Sequence, residues 1–102
     1  MVHKNIPYDM TNFFINKFKS KFFIDLIDLE NKKKSIFDIR KENHISYIQS
    51  RMILKSLRYY KLLSDYSYST DESSYKVKYS KLGLELRKKI MEIEELLKKI
   101  GV

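Results

Sequence analysis

The 102-residue chain contains no cysteine, no tryptophan and no alanine, and only two glycines and one proline. Without cysteine it can form no disulfide and offers no thiolate for catalysis, which fits an intracellular protein. The scarcity of glycine and proline argues against long structureless stretches. No apolar run approaches the roughly 20 residues that span a bilayer, and residues 1–9 lack the layout of a secretory signal. We therefore expect a cytoplasmic protein with no membrane association.

Sequence motifs for catalysis are also missing. The chain has no P-loop, no dinucleotide-binding glycine motif and no nucleophile motif. His3 and His44 lie far apart, and neither belongs to a set with metal-ligand spacing. We therefore expect no cofactor, no metal and no enzymatic activity, with His44 either exposed to solvent or in contact with a phosphate.

Positive charge is abundant and unevenly placed. The formal net charge is +8, and residues 31–63 carry nine Lys or Arg against two acids, whereas the rest of the chain is close to balance. A basic segment in an otherwise balanced domain is typical of a surface that binds a polyanion such as nucleic acid. The alternative is a solvated basic surface. Many isoleucines and lysines without alanine are typical of an AT-rich genome, such as that of an archaeon, its virus or a plasmid.

Hydrophobic periodicity predicts a single domain that is mainly α with a small β-hairpin, in the order α-α-α-β-β-α. Apolar spacings of three and four predict a first helix over about 10–29, capped by Asp9 and with a break near Ser20. Three serines are predicted N-caps for the later helices. The predicted segments are a helix after Ser35 to Glu42, a helix after Ser46 to about Tyr60, a hairpin with alternating runs at 66–69 and 75–79, and a helix after Ser80 over 81–100. Residues 1–19 would form an arm, 20–80 the core, and 81–102 a dimerisation helix.

Two short stretches resemble winged helix–turn–helix regulators of the MarR and PadR types. Those proteins carry a stretch like L-k-x-L-x-x-x-G-L-I at the end of the third helix, then a wing, then L-T-x-x-G. Here residues 54–63 read LKSLRYYKLL and residues 79–83 read YSKLG, in the same order and separated by the hairpin. Lys61 stands where the family usually has glycine, at a position that needs a left-handed backbone. The resemblance covers about residues 20–90 and implies a winged helix–turn–helix that binds double-stranded DNA.

In such a fold the third helix lies in the major groove with its N-terminal side chains against the bases. Its face of Ser50, Ile53, Leu54 and Leu57 should pack in the core. On the opposite face, glutamine can pair with adenine, arginine with guanine, and apolar groups with the thymine methyl. The predicted DNA-contacting residues are Lys33, Lys34, Ser46, Tyr47, Gln49, Arg51, Met52, Lys55, Arg58, Lys76 and Lys78. Tyr47 and Met52 are the candidates for thymine methyls, and Lys33, Lys34, Lys55 and Arg58 for the DNA backbone.

The predicted wing carries acids at its tip, Asp71 and Glu72, which phosphate would repel. Backbone contacts are therefore assigned to the strand lysines Lys76 and Lys78, and a purely structural wing is the alternative. The tyrosines of the hairpin are expected to pack in the core rather than to stack on single-stranded bases.

The last predicted helix has an apolar seam at heptad spacing, Leu86, Ile90, Ile93, Leu97 and Ile100. With Phe13 and Phe14 of the first helix, this seam is the predicted interface of a homodimer, which would place two recognition helices on a palindromic site. The alternative is packing of the seam on the first helix of the same chain. The function expected is a small transcription regulator. The alternatives are an architectural DNA-coating protein or a protein-interaction module, and the sequence leaves open whether a small-molecule effector binds.

Overall fold

A computed structural model describes residues 17–67 and 76–101 of the chain. Within these ranges it is mainly helical with one two-stranded antiparallel sheet, so the predicted order α-α-α-β-β-α is confirmed. None of the helices in these ranges has the length and apolar character that a membrane span requires. The elements are α1 (Lys17–Glu30), α2 (Ile36–Glu42), α3 (Tyr47–Tyr59), β1 (Leu63–Ser67), β2 (Lys76–Tyr79) and α4 (Lys81–Ile100).

Serine caps begin three of the helices, as predicted. The side chain of Ser35 accepts a hydrogen bond from the Asp38 N–H, and that of Ser46 accepts one from the Gln49 N–H; both sites are reciprocal capping boxes. Ser80 caps α4 through the N–H of Gly83. Such caps satisfy backbone donors that the first turn of a helix leaves without an intrahelical acceptor. They explain why the starts of α2, α3 and α4 could be read from sequence.

Helix α1 continues through Ser20, so the predicted break at that residue is wrong. Ser20 is buried within the helix. The helix ends at Glu30, and Lys32 then takes a positive φ of 60° at the turn toward α2. Asp9, Phe13 and Phe14, to which a cap and part of a dimer interface were assigned, lie outside the described residues.

The core lies between α1, the inner face of α3 and the sheet. Buried apolar side chains from all three make one cluster, which includes Phe22, Phe23 and Leu26 of α1, Ile53, Leu54 and Leu57 of α3, and Leu63, Val77 and Tyr79 of the sheet. Each helix contributes residues at spacings of three and four, as expected for a helix with one buried face. The predicted inner face of α3 is confirmed, because Ser50, Ile53, Leu54 and Leu57 are all buried.

The hairpin is anchored on α1 by its last strand residue. In β2 the buried residues are Val77 and Tyr79, and the exposed ones are Lys76 and Lys78. The Tyr79 N–H donates to Glu30 Oε1 at 2.7 Å, its hydroxyl donates to the Phe23 carbonyl, and its ring meets that of Phe23 edge-on at 5.4 Å. Burial raises the pKa of the Tyr79 hydroxyl above its ordinary value. Strand β1 begins at Leu63, three residues before the predicted start.

The two stretches on which the family resemblance rests meet in space. Lys61 has a φ of 64°, which is the left-handed backbone predicted for this position. The Ser80 hydroxyl donates to the Lys61 carbonyl at 2.6 Å, and the Ser80 N–H donates to the Leu62 carbonyl at 3.1 Å. A Cβ on Gly83 would overlap the backbone oxygen of Leu62. The turn after α3 and the start of α4 are therefore packed backbone against backbone, which requires glycine at position 83.

Among the described residues, the contacts of helix α4 with the core come from its first half. Leu86 and Ile90 are partly buried against the core, and the Arg87 Nε donates to the Ile24 carbonyl at 2.9 Å. Beyond them the seam is exposed: Ile93 by 58%, Leu97 by 41% and Ile100 by 67%. The predicted seam therefore divides into a half that packs within the chain and a half that faces outward.

Candidate nucleic-acid interface

The connection between α2 and α3 is a short turn with a dense set of hydrogen bonds. The Ile45 N–H donates to the Arg40 carbonyl at 2.9 Å, and the Arg40 Nη1 donates back to the Ile45 carbonyl at 3.2 Å. Buried Asn43 donates through Nδ2 to Asp25 on α1 at 3.0 Å. His44 is exposed at a φ of 55°, which an L-residue adopts at a modest cost in free energy. This turn fixes the direction in which α3 leaves α2.

Helix α3 separates its residues sharply between two faces. The inner face is apolar or carries serine, whereas the exposed residues are Ile48, Gln49, Arg51, Met52, Lys55, Arg58 and Tyr59. Tyr47 is half-buried at the start of the helix. No acidic residue occurs anywhere in α3. The exposed face is therefore cationic, with apolar side chains between the charges.

Two guanidinium groups lie close to the ring of Tyr47. The Arg40 Cζ is 5.9 Å from the centre of the Tyr47 ring, and the Arg51 Cζ is 5.8 Å from it. Both distances are within the range of cation–π attraction. The ring therefore helps to hold Arg51 beside the first turn of α3, and it brings Arg40 of α2 to the same place.

The side chain of Gln49 is already engaged in the cap of α3. Its Oε1 accepts the Ser46 N–H at 3.0 Å, while the Gln49 N–H donates to the Ser46 Oγ at 3.1 Å. Pairing with both adenine positions would use the amide oxygen as well as the amide nitrogen. The adenine contact predicted for Gln49 would therefore require this capping bond to open, and a contact through Nε2 alone would not.

A shallow groove of about 350 Å³ runs between α3 and the first strand. Its lining is Ile48, Arg51, Met52, Lys55 and Tyr66. The apolar residues Ile48 and Met52 lie one helical turn apart, and so do the cations Arg51 and Lys55. Ile48 is 69% exposed and Met52 is 37% exposed. The groove thus has an apolar surface with positive charge along it, and no acid occurs among the described residues that line it.

The remaining predicted cations are distributed over other parts of the fold. Lys34 pairs with Glu42 at 2.9 Å, and this hydrogen bond raises the pKa of the lysine while offsetting its charge. Lys33 is exposed in the same connection between α1 and α2. On β2, Lys78 lies opposite Asp65 of β1, whereas Lys76 lies opposite Ser67. Residues 70–74, including the predicted acidic tip, lie outside the described residues.

Three residues of this region were missing from the predicted site: Arg40, Ile48 and Tyr66. Ile48 could have been found from its helical spacing to Met52, because both lie away from the buried positions of α3. Arg40 could not have been found, because its place beside Tyr47 depends on how α2 packs on α3. Tyr66 could not have been found either, because its place across the groove from Met52 depends on how β1 packs on α3.

Among the described residues, no group of three or more His, Asp or Glu side chains is arranged to hold a metal ion. Comparison of the chain with protein families, with curated proteins and with solved structures found no match.

Proposed function

We propose that this protein binds double-stranded DNA as a winged helix–turn–helix, with α3 in the major groove. The observation that carries the proposal is the exposed face of α3, which presents Arg51, Lys55 and Arg58 on a helix without a single acid. The buried face of the same helix is fixed to the core, so these cations are held on a rigid element rather than on a loop. Rigid placement is what base recognition requires.

The dimensions of α3 are suitable for this role. At about 1.5 Å per residue its 13 residues extend about 20 Å. A major groove of roughly 12 Å in width admits one α-helix. The turn from α2 and the capping box at Ser46 set the start of α3, which is the end that meets base edges in helix–turn–helix proteins.

A dimeric transcription regulator is the form of this function that we favour. The outward half of the α4 seam, Ile93, Leu97 and Ile100, provides an apolar surface on which a second copy could pair. A two-fold dimer would carry two α3 helices and bind a palindromic site. The second candidate is an architectural protein that coats DNA with little sequence preference, which the basic segment alone would support.

Selection of bound duplexes from a random pool at near-physiological salt tests the proposal. A regulator is expected to enrich one palindromic sequence and to keep its affinity for it in excess shuffled competitor. Equal affinity for selected and shuffled duplexes would favour the architectural function.

A charge-matched pair of variants tests the assignment to α3. The double variant Arg51→Ala/Lys55→Ala is expected to lose DNA binding by at least tenfold, because both charges leave the proposed interface. The control Lys88→Ala/Lys89→Ala removes the same net charge from exposed positions of α4 and should bind nearly as the wild type does. Equal binding by the two folded variants would contradict the assignment.

A further inference from the structure

The groove between α3 and β1 contains apolar surface that a purely electrostatic DNA contact does not need. A helix that only neutralises phosphates is served by lysine and arginine at every exposed position. Here Ile48 is 69% exposed, Met52 follows one turn later, and Tyr66 of β1 lies across the groove from them. Single exposed apolar residues are common, but two of them beside the partly buried Tyr66, around one groove, form a patch.

Charge complementarity identifies the kind of partner that fits this groove. Arg51 and Lys55 alternate with Ile48 and Met52 along one stripe of the helix, at positions i, i+3, i+4 and i+7. An apolar ligand alone would leave two cations against it, and a simple anion would leave the apolar side chains exposed. The major groove of an A·T-rich duplex offers both chemistries, since phosphates flank the groove and each thymine projects a 5-methyl group into it.

We propose that Ile48 and Met52, with Tyr66 beside them, bind thymine 5-methyl groups, so that the preferred DNA site is rich in A·T pairs. The inference rests on the proposed function and gives it a substrate class. Arg51 and Lys55 then hold the phosphates or a guanine next to these thymines. The apolar side chains become buried only when a methyl group lies against them, which makes the contact sensitive to the base and not merely to charge.

Uracil substitution tests this directly, because deoxyuridine keeps the pairing edge of thymidine and lacks only the methyl group. The probe is the duplex enriched by selection, compared with copies in which individual thymidines are replaced by deoxyuridine. Burial of one methyl group is worth about a fourfold change in affinity. We expect a loss of that size at two or more positions of each half-site, and we expect A·T pairs at those positions in the selected sequence.

A variant links the effect to the groove. Ile48→Ala/Met52→Ala keeps helix-forming residues at exposed positions, so α3 should fold as before. We expect it to bind the thymidine and deoxyuridine duplexes with equal affinity. Leu82→Ala, which removes an exposed leucine from α4, should keep the wild-type ratio.

The possible failures are distinguishable. If no duplex binds, the proposed function itself is wrong. If a selected duplex binds but tolerates deoxyuridine at every position, DNA binding stands and the methyl contact is wrong. Selection without a preferred sequence also contradicts the methyl contact. If Ile48→Ala/Met52→Ala keeps the wild-type ratio, the methyl groups are bound elsewhere on the protein and the assignment to the groove fails.

Discussion

Gly83 lies where the first turn of α4 touches the backbone that follows α3. Any side chain at this position would overlap the Leu62 carbonyl oxygen, and backbone cannot rotate away as a flexible side chain can. We expect Gly83→Ala to lower the free energy of unfolding by about 1–3 kcal/mol, the range for overpacking. Urea unfolding at neutral pH measures the change. The neighbouring Leu84→Ala, at an exposed position, should stay within about 0.5 kcal/mol of wild type. Equal stability of both variants would show that α4 and Leu62 are not packed this closely.

Among the residues that the structure describes, Tyr79 has the most clearly shifted pKa and therefore the strongest effect of pH on stability. Burial raises the pKa of its hydroxyl, with the nearby Arg87 charge opposing the shift. The fold therefore favours the neutral phenol, so its contribution is complete below the ordinary tyrosine pKa of about 10 and is lost as pH rises above it.

Tyr79→Phe isolates this contribution. At neutral pH the variant should be about 1 kcal/mol less stable, because the hydrogen bond to the Phe23 carbonyl is lost. Between pH 9 and 11 the wild type should lose stability faster than the variant, so the difference should narrow and then reverse. Urea unfolding across this range tests the expectation, and parallel pH profiles would contradict it.

At the scale of elements, the features that could be predicted were local ones. Ser35, Ser46 and Ser80 mark helix starts because a cap needs only residues within three positions of it. The inner face of α3 follows from helical spacing in the same way. The S-x-x-Q pattern at Ser46 and Gln49 was also visible in the sequence, and the structure shows that it serves as a capping box.

The features that sequence reasoning missed depend on packing between distant elements. Strand β1 starts at Leu63, but a register irregularity between Leu63 and Asp65 interrupts the alternation that would reveal it. Ser20 is buried inside α1, where a break was predicted, and this burial depends on the elements that pack against the helix. The contact of Tyr79 with Phe23 joins positions that are 56 residues apart, and no local pattern predicts it.

The second half of helix α4 carries exposed apolar side chains, which allows a test of the proposed dimer. Ile93→Glu/Leu97→Glu places charge on the outward seam without disturbing the half that packs on the core. Because each apolar side chain contributes about 1.5–3 kcal/mol on burial, we expect dimerisation to weaken at least about 100-fold. Sedimentation equilibrium measures this. Leu84→Glu, at an exposed position in the first half of α4, is the control and should remain dimeric. A monomeric wild type would contradict the proposed dimer, and a double variant that still dimerises would remove the seam from the interface.

For the whole molecule, the consequence of the charge distribution is a steep dependence of DNA binding on salt. The excess of positive charge falls in residues 31–63, which include α2, α3 and the turn between them. Each phosphate contact releases a counterion on binding, so six to ten contacts would reduce affinity by about 10³–10⁵ between 50 and 200 mM salt. Titration of a fixed duplex across this range gives the slope of log affinity against log salt.

Lys55→Ala should reduce that slope by about one, because it removes one contact from α3. Lys88→Ala on α4 should leave it unchanged, since its charge lies outside the basic segment. If both variants reduced the slope equally, binding would respond to net charge alone, and α3 would have no special place in the interface.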